Sequence, residues 1–279
     1  MQTLAKKLEK YLINTYVFFF GRTERQYLNQ VLFTLATHGK GFNNYSSLLS
    51  KSGEMKLIEK LASLNPTNFF DVGANTGQYS KVFSEISNCQ IFAFEPMAGS
   101  FQVLEENFKD MNQRVRCFNY ALGEGNYKTK ISFNGETDQL ASISNEVKEI
   151  PYVGINNVNQ AKITVRTLDS VVEELQSINQ VSRIDILKID TEGFEYEVLL
   201  GASNLLKNAP PMAIIIEFNW HQLMKGNSLY SFHKLLRNYS VFQVLPHGSG
   251  LRSVDPTIPS NNLFYYSNFL FLREDLSIN

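Results

Sequence analysis

From residue 68 onward the chain alternates short apolar runs with stretches at helical spacing, and this alternation constrains the fold more than any other feature. NFFDV, QIFAFEP, VRCFNYALG, IDILKID and MAIIIEFNW read as strands. GQYSKVFSEI, AGSFQVLEENFKDM and EYEVLLGASNLLKN, lying between them, read as helices. Strands so short and so uniformly apolar are buried on both faces. That requires βαβ units and a parallel sheet with helices over each side. KITVRTLDSVVEEL adds a strand and a helix, SFHKLLRNY a helix, and VFQVL and LFYYSNFLFL two closing strands.

Three of the strands end on an acid: Asp71, Glu95 and Asp190. Ligands of open α/β sheets bind outside the carboxyl ends of the strands, where the strand order switches. One acid at such a tip could equally be a helix cap or an ion-pair partner. Three, with the first followed by Gly73, Asn75 and Gly77 in FFDVGANTGQYS, point to a ligand. A dinucleotide turn has the pattern GxGxxG and offers helix amides to a pyrophosphate. DVGANTG has one glycine fewer, and its acid would repel that group. It suits a cation such as an ammonium or sulfonium, while Glu95 is spaced to hold a ribose diol. S-adenosylmethionine meets both demands.

DVGANTGQYS, AFEP, NYALG, TLDSV and ILKIDTEGFEYEVLLGA resemble the successive motifs of FkbM-type methyltransferases over residues 68–218. The resemblance implies an α/β, Rossmann-like, seven-stranded and mostly parallel sheet with helices on both faces. It also implies S-adenosyl-L-methionine as cofactor. Gly73, Ala74, Asn75 and Gly77 would form the loop around the methionine portion, with Asp71 orienting it and Tyr79 along the pocket. Gly73 would keep side-chain bulk out of the space the ligand approaches. Glu95, followed by Pro96, would hold the ribose hydroxyls, and Tyr120 and Ala121 would border the adenine. Asp190 would sit near the transferring methyl. Phe194 departs from the small residues common at its position and narrows the pocket or adds packing.

Methyl transfer to an alcohol needs a base within hydrogen-bond reach, whereas transfer to a carboxylate needs none. His221, just past a strand tip, and Glu192, beside Asp190, are the candidate catalytic bases. Glu195 is expected to bond backbone. Asp190, Glu192 and Glu217 could converge on a divalent ion, but the sequence does not establish a metal. The expected reaction is O-methylation of a sugar, glycan or secondary-metabolite hydroxyl, or else of a peptide natural product's carboxyl group. Two rivals remain, a nicotinamide-dependent oxidoreductase and a catalytically silent nucleoside-binding module. The missing glycine and the intact set of acids weigh against them.

Residues 1–64 read as helices with polar breaks, acting as a cap or oligomer contact. Residues 65–279 form the methyltransferase domain, with a flap or insertion at 124–161 rich in Asn, Gly, Ser and Thr. Leu4, Leu8, Tyr11, Leu12 and Tyr16 give the first helix an apolar face, suited to packing on the main domain or in a homodimer ahead of membrane docking. Its apolar run falls short of the roughly 20 residues of a membrane span. A net charge of −1 supplies no global field for nucleic acid or an anionic membrane. Cys89 and Cys117 lack metal-ligand spacing and read as buried thiols of a reducing, cytoplasmic protein.

Overall fold

The computed structural model describes residues 2–43, 45–46, 48–134, 141–143 and 159–278. Its strands are β1 (Asn68–Val72), β2 (Gln90–Phe94), β3 (Val115–Phe118), β4 (Ala121–Leu122), β5 (Tyr127–Phe133) and β6 (Asn159–Arg166). They continue with β7 (Ile186–Ile189), β8 (Ala213–Phe218), β9 (Tyr239–Leu245), β10 (Gly250–Ser253) and β11 (Ser267–Arg273).

The main sheet has the order β10-β9-β11-β8-β7-β1-β2-β3. Every pairing from β8 to β3 is parallel. β11 is inserted antiparallel between β8 and β9. The chain builds outward from β1 to β3 and then returns to β7 on the other side of β1. The switch point, and with it the crevice, therefore lies at the tips of β1 and β7.

The sheet has eight strands where seven were expected. The eighth, β10, pairs antiparallel with β9. Left-handed backbone at His247, Gly248 and Gly250 reverses the chain, so that GLRS folds back on the edge. The strand was hidden because it is polar. Arg252 carries no apolar signal, yet it is held by Gln243 and Asn261.

The run VRCFNYALG is likewise two strands. β3 belongs to the main sheet, whereas β4 belongs to a small sheet of order β4-β6-β5. Asn119 sits at the break and donates to the Glu95 carbonyl at 2.9 Å. Of the expected flap, residues 135–140 and 144–158 lie outside the described residues. The rest contributes β5 and the start of β6, paired antiparallel.

Alternation along β1 sends Phe69 to one face and Phe70 to the other. Phe69 stacks on Phe83 at 4.4 Å, and Phe70 on Phe92 at 4.7 Å. All four rings are fully buried, which is why both positions just before Asp71 in β1 are apolar. The chain divides into compact units Met1–Asn43 and Asn44–Asn279. This boundary falls earlier than the change of texture at residue 64, because Leu57, Ile58 and Leu61 of the helix Glu54–Ala62 pack into the core with Phe69 and Ile91. In the first unit, helices Gln2–Phe20 and Gln26–Gly39 are joined by Tyr16 Oη donating to Asn29 Oδ1 and Asn29 Nδ2 donating to the Phe20 carbonyl. Among the described residues, no helix is long and apolar enough to cross a membrane.

Candidate active site

At the exit of β1 the amides of Gly73 and Ala74 both donate to the Phe94 carbonyl at 3.0 Å, which binds the turn to β2. Gly73 has φ +79°, and a Cβ there would lie 1.7 Å from the Asp190 carbonyl oxygen. The glycine therefore makes room for the exit of β7. This corrects the expectation that it makes room for the ligand. Gly77 has φ +85°, and its Cβ would press on Phe108 and Leu104 at 2.5 and 2.6 Å. It is the point where the helices Gln78–Ile86 and Ala98–Phe108 come together.

Asp71 is fully buried beneath this turn. Its Oδ2 accepts from Ser80 Oγ at 2.6 Å, and its Oδ1 lies 3.6 Å from Lys188 Nζ. Lys188, on β7, also meets Asp190 Oδ2 at 2.9 Å. Burial alone would lower its pKa, but Asp190 and Asp71 outweigh burial and raise it, so the ammonium stays charged. Lys188 was missed from the sequence. The available signal was a lone cation inside ILKI, in direct register with Asp71.

Glu95, at the end of β2, accepts from the Asn75 amide at 2.9 Å and the Met97 amide at 2.8 Å. Burial raises its pKa to about 7 against the pull of those amides.

The predicted residues Gly73, Ala74, Asn75, Tyr79, Glu95, Pro96, Ala121, Asp190 and Glu192 line one cavity. Asp71 and Gly77 support it from behind. Tyr120 does not reach it: its ring packs against Phe94 and Phe118, with the Arg166 guanidinium 5.2 Å from its centroid. The cavity has two chemically distinct ends. Met97, Leu122, Ile131 and Ile143 form an apolar wall near Glu95. Tyr45, Glu54, Tyr266 and Glu217 join Asp190 and Glu192 in an aromatic and acidic end. Tyr45 and Tyr266 meet edge to face at 5.3 Å. Glu54 takes a 2.6 Å hydrogen bond from Ser52 Oγ, and burial raises its pKa.

One oxygen from each of Asp190, Glu192 and Glu217 lies within 4.8 Å of the others. Burial, followed by the charges of Asp190 and Glu192, pushes the Glu217 carboxyl well above the usual carboxylate range. Such a trio can share protons or hold a divalent cation through oxygen.

The turn carrying Glu192 is fixed by Glu195, whose Oε1 accepts from the Thr191 amide at 2.8 Å and the Gly193 amide at 3.1 Å. Gln222 closes the other oxygen, so Glu195 takes the backbone role expected of it. His221 is placed behind this turn and does not line the cavity. A Cβ on Gly193 would lie 2.8 Å from His221 Nδ1, and that nitrogen stands 3.8 Å from Glu192 Oε2. Burial lowers its pKa to about 4 and keeps the ring neutral. His221 thus backs Glu192 instead of facing an acceptor, because Asn219 caps the helix Trp220–Lys225 and sets the ring inward.

A family model described as the methyltransferase FkbM domain matches residues 71–240. The chain belongs to the FkbM methyltransferase family. It is 31% identical over 140 residues to the hexuronic acid methyltransferase AglP of Haloferax volcanii, covering 50% of this chain and 51% of that protein. It is 28% identical over 160 residues to the AMB antimetabolite synthetase AmbE of Pseudomonas aeruginosa, covering 47% of this chain and 7% of that one. The chain thus spans about half the length of AglP and a small part of AmbE. An O-methyltransferase from Bacillus cereus, solved in complex with SAH, superposes with a TM-score of 0.45 at 11% identity, covering 93% of this chain and 96% of that one.

The family's motifs fall on the side of the cavity where buried polar atoms lack partners. Asn75 Oδ1 and Tyr79 Oη, both in the cavity lining, are buried without a hydrogen bond. Together with the Glu95 carboxylate they fit a nucleoside bearing a cationic amino-acid tail.

Proposed function

We propose that this chain is an S-adenosylmethionine-dependent O-methyltransferase acting on a hydroxyl of a sugar or glycan. One observation carries the reading: the glycine turn with Glu95 and the cluster of tyrosines and carboxylates open onto the same cavity. Family membership and the resemblance to a hexuronic acid methyltransferase support it.

Glu95 would hold the ribose hydroxyls, the apolar wall of Met97, Ile131 and Ile143 the base, and Asn75, Tyr79 and Asp190 the amino-acid tail. When bound, the cofactor supplies an electrophilic methyl group for in-line displacement. The protein's part is alignment and removal of a proton. Tyr45 and Tyr266 offer flat, hydrogen-bonding walls suited to a sugar ring. Glu192, whose side chain is 17% exposed and which lines the cavity, would take the acceptor's proton. Lys188 pairs with Asp190 beside it at 2.9 Å. A carboxylate presented as the accepting group would lie directly against the acidic trio, so carboxyl methylation is less favoured unless a cation sits there, whereas a uronic acid's carboxylate can point away when its hydroxyl is the acceptor.

The first test is calorimetric titration with S-adenosylhomocysteine. Glu95→Gln should weaken binding about tenfold or more, since a hydrogen bond to a charged acceptor is lost. With the Glu95 pKa near 7, the free protein takes up a proton as pH falls below that value. Wild-type affinity should therefore decline below about pH 7 and be level above it, while Glu95→Gln should be flat. Unchanged affinity in Glu95→Gln would remove Glu95 from the ribose role. The second test is transfer of labelled methyl to uronic-acid-containing glycans. Label that survives mild alkali marks an ether and supports hydroxyl transfer, whereas label released by alkali marks an ester and overturns it.

A further inference from the structure

The helix Gln2–Phe20 presents a surface that the methyl-transfer reading does not use. Leu4, Leu8, Tyr11, Leu12, Phe18 and Phe19 are each between 55% and 76% exposed. At 3.6 residues per turn all six fall within an arc of about 120°. The helix Gln26–Gly39 takes a different side, engaging Tyr16 and Phe20 through Asn29. Soluble proteins rarely leave a contiguous apolar strip of this kind uncovered.

Charge decides between the occupants. Lys6, Lys7 and Lys10 fall together on the arc flanking the apolar strip. Residues 1–43 carry six lysines and arginines against two glutamates, although the whole chain is formally −1. The cationic excess is thus concentrated in the unit that bears the apolar strip, and the rest of the chain is net acidic. Pairing this face antiparallel with a second copy would bring two lysine rows of like charge together, and in either orientation it adds two units that each carry a cationic excess. An anionic surface would instead be attracted by the lysines and would accept the leucines and aromatic rings. An apolar arc, a lysine-rich edge and aromatic residues together describe a helix that lies in a bilayer interface. Three lysines and Glu9 within the helix, and the absence among the described residues of a helix able to cross a membrane, exclude a spanning orientation.

We propose that the helix Gln2–Phe20 docks this protein in-plane on an anionic lipid bilayer, with the Leu4–Leu8–Tyr11–Phe18–Phe19 strip in the headgroup–acyl boundary and the lysines against anionic headgroups. The inference does not depend on the methyl-transfer reading.

The test is flotation of the full chain with vesicles of phosphatidylcholine alone or mixed with phosphatidylglycerol. Binding should require the anionic lipid and fall at high salt. Lys6→Glu/Lys7→Glu/Lys10→Glu should lower partitioning at least about tenfold, given the contribution of each basic residue near a charged surface. Phe18→Ser/Phe19→Ser should abolish binding with an unchanged melting curve, because both rings are exposed in the fold. Failure to float with anionic vesicles, or flotation that survives the phenylalanine changes, overturns the proposal. A chain that ignores vesicles but sediments as a dimer, and becomes a monomer in Phe18→Ser/Phe19→Ser, overturns it in favour of a second copy.

Discussion

The turns at the tips of β1 and β7 face each other across the crevice, yet they achieve their left-handed backbone in different ways. The first uses Gly73, Asn75 and Gly77 at its positive-φ positions, residue types for which this conformation costs little. The second places Glu192 at φ +52° ahead of Gly193. A glutamate there is strained by about 1–2 kcal/mol, and the carboxylate network of Glu195 holds it in place. The first turn therefore serves close packing, and what it presents to the cavity is Asn75 and the neighbouring Glu95. The second spends stability to aim a carboxylate at the cavity. Strain that persists at a cavity wall is a mark of use.

The contrast is broken most directly by adding a methyl group to each turn. Gly73→Ala would set a Cβ against the fixed backbone of Asp190. It should cost at least about 4 kcal/mol or prevent folding. Gly193→Ala would meet the buried His221 at Nδ1 (2.8 Å) and Cβ (2.9 Å), atoms of a side chain and not of fixed backbone, and should cost about 2–3 kcal/mol. Urea denaturation of both variants reads the difference, and equal costs would end the claim that the first turn is governed by packing. Next in size is Glu195→Ala. It would strip partners from the amides of Thr191 and Gly193 and from Gln222. A loss of about 3 kcal/mol is expected for a buried hydrogen-bonded carboxylate. If Glu195→Ala melted like wild type, the second turn would need another support.

The two turns also differ in how much of them the sequence disclosed. Asp71, Gly73, Asn75 and Gly77 fall within seven consecutive residues, and their residue types announce a tight turn at a strand end. The parallel sheet was legible for a similar reason: its central strands are apolar at successive positions. Lys188 was obscured because its partner Asp71 is brought beside it only through strand register. Tyr45 and Glu54 come from segments with no strand pattern and Tyr266 from the start of a run read as a closing strand, and only tertiary folding brings them to the cavity. His221 misled because proximity in sequence to a strand tip does not fix a ring's direction. The cap at Asn219 turns it under Gly193. Gly73 was placed in the turn, but its neighbour, the Asp190 carbonyl, is a long-range contact that a local motif does not reveal.

The smallest expected effect is the sharpest test of the strain at Glu192. Glu192→Ala removes the carboxylate but leaves a Cβ in the left-handed region. Glu192→Gly removes both, at the entropic cost that a glycine carries in the unfolded chain. The relief exceeds that cost, so the glycine variant should be about 0.5–1 kcal/mol more stable than the alanine variant. Both should lose turnover by about 100-fold if Glu192 takes the acceptor's proton. Denaturation curves measured side by side, with turnover on the same samples, separate the two contributions. An alanine variant as stable as the glycine variant would mean that the turn relaxes once the carboxylate is gone. A variant that keeps its turnover would pass the proton to Asp190 or Glu217, and the strain at Glu192 would lose its catalytic explanation.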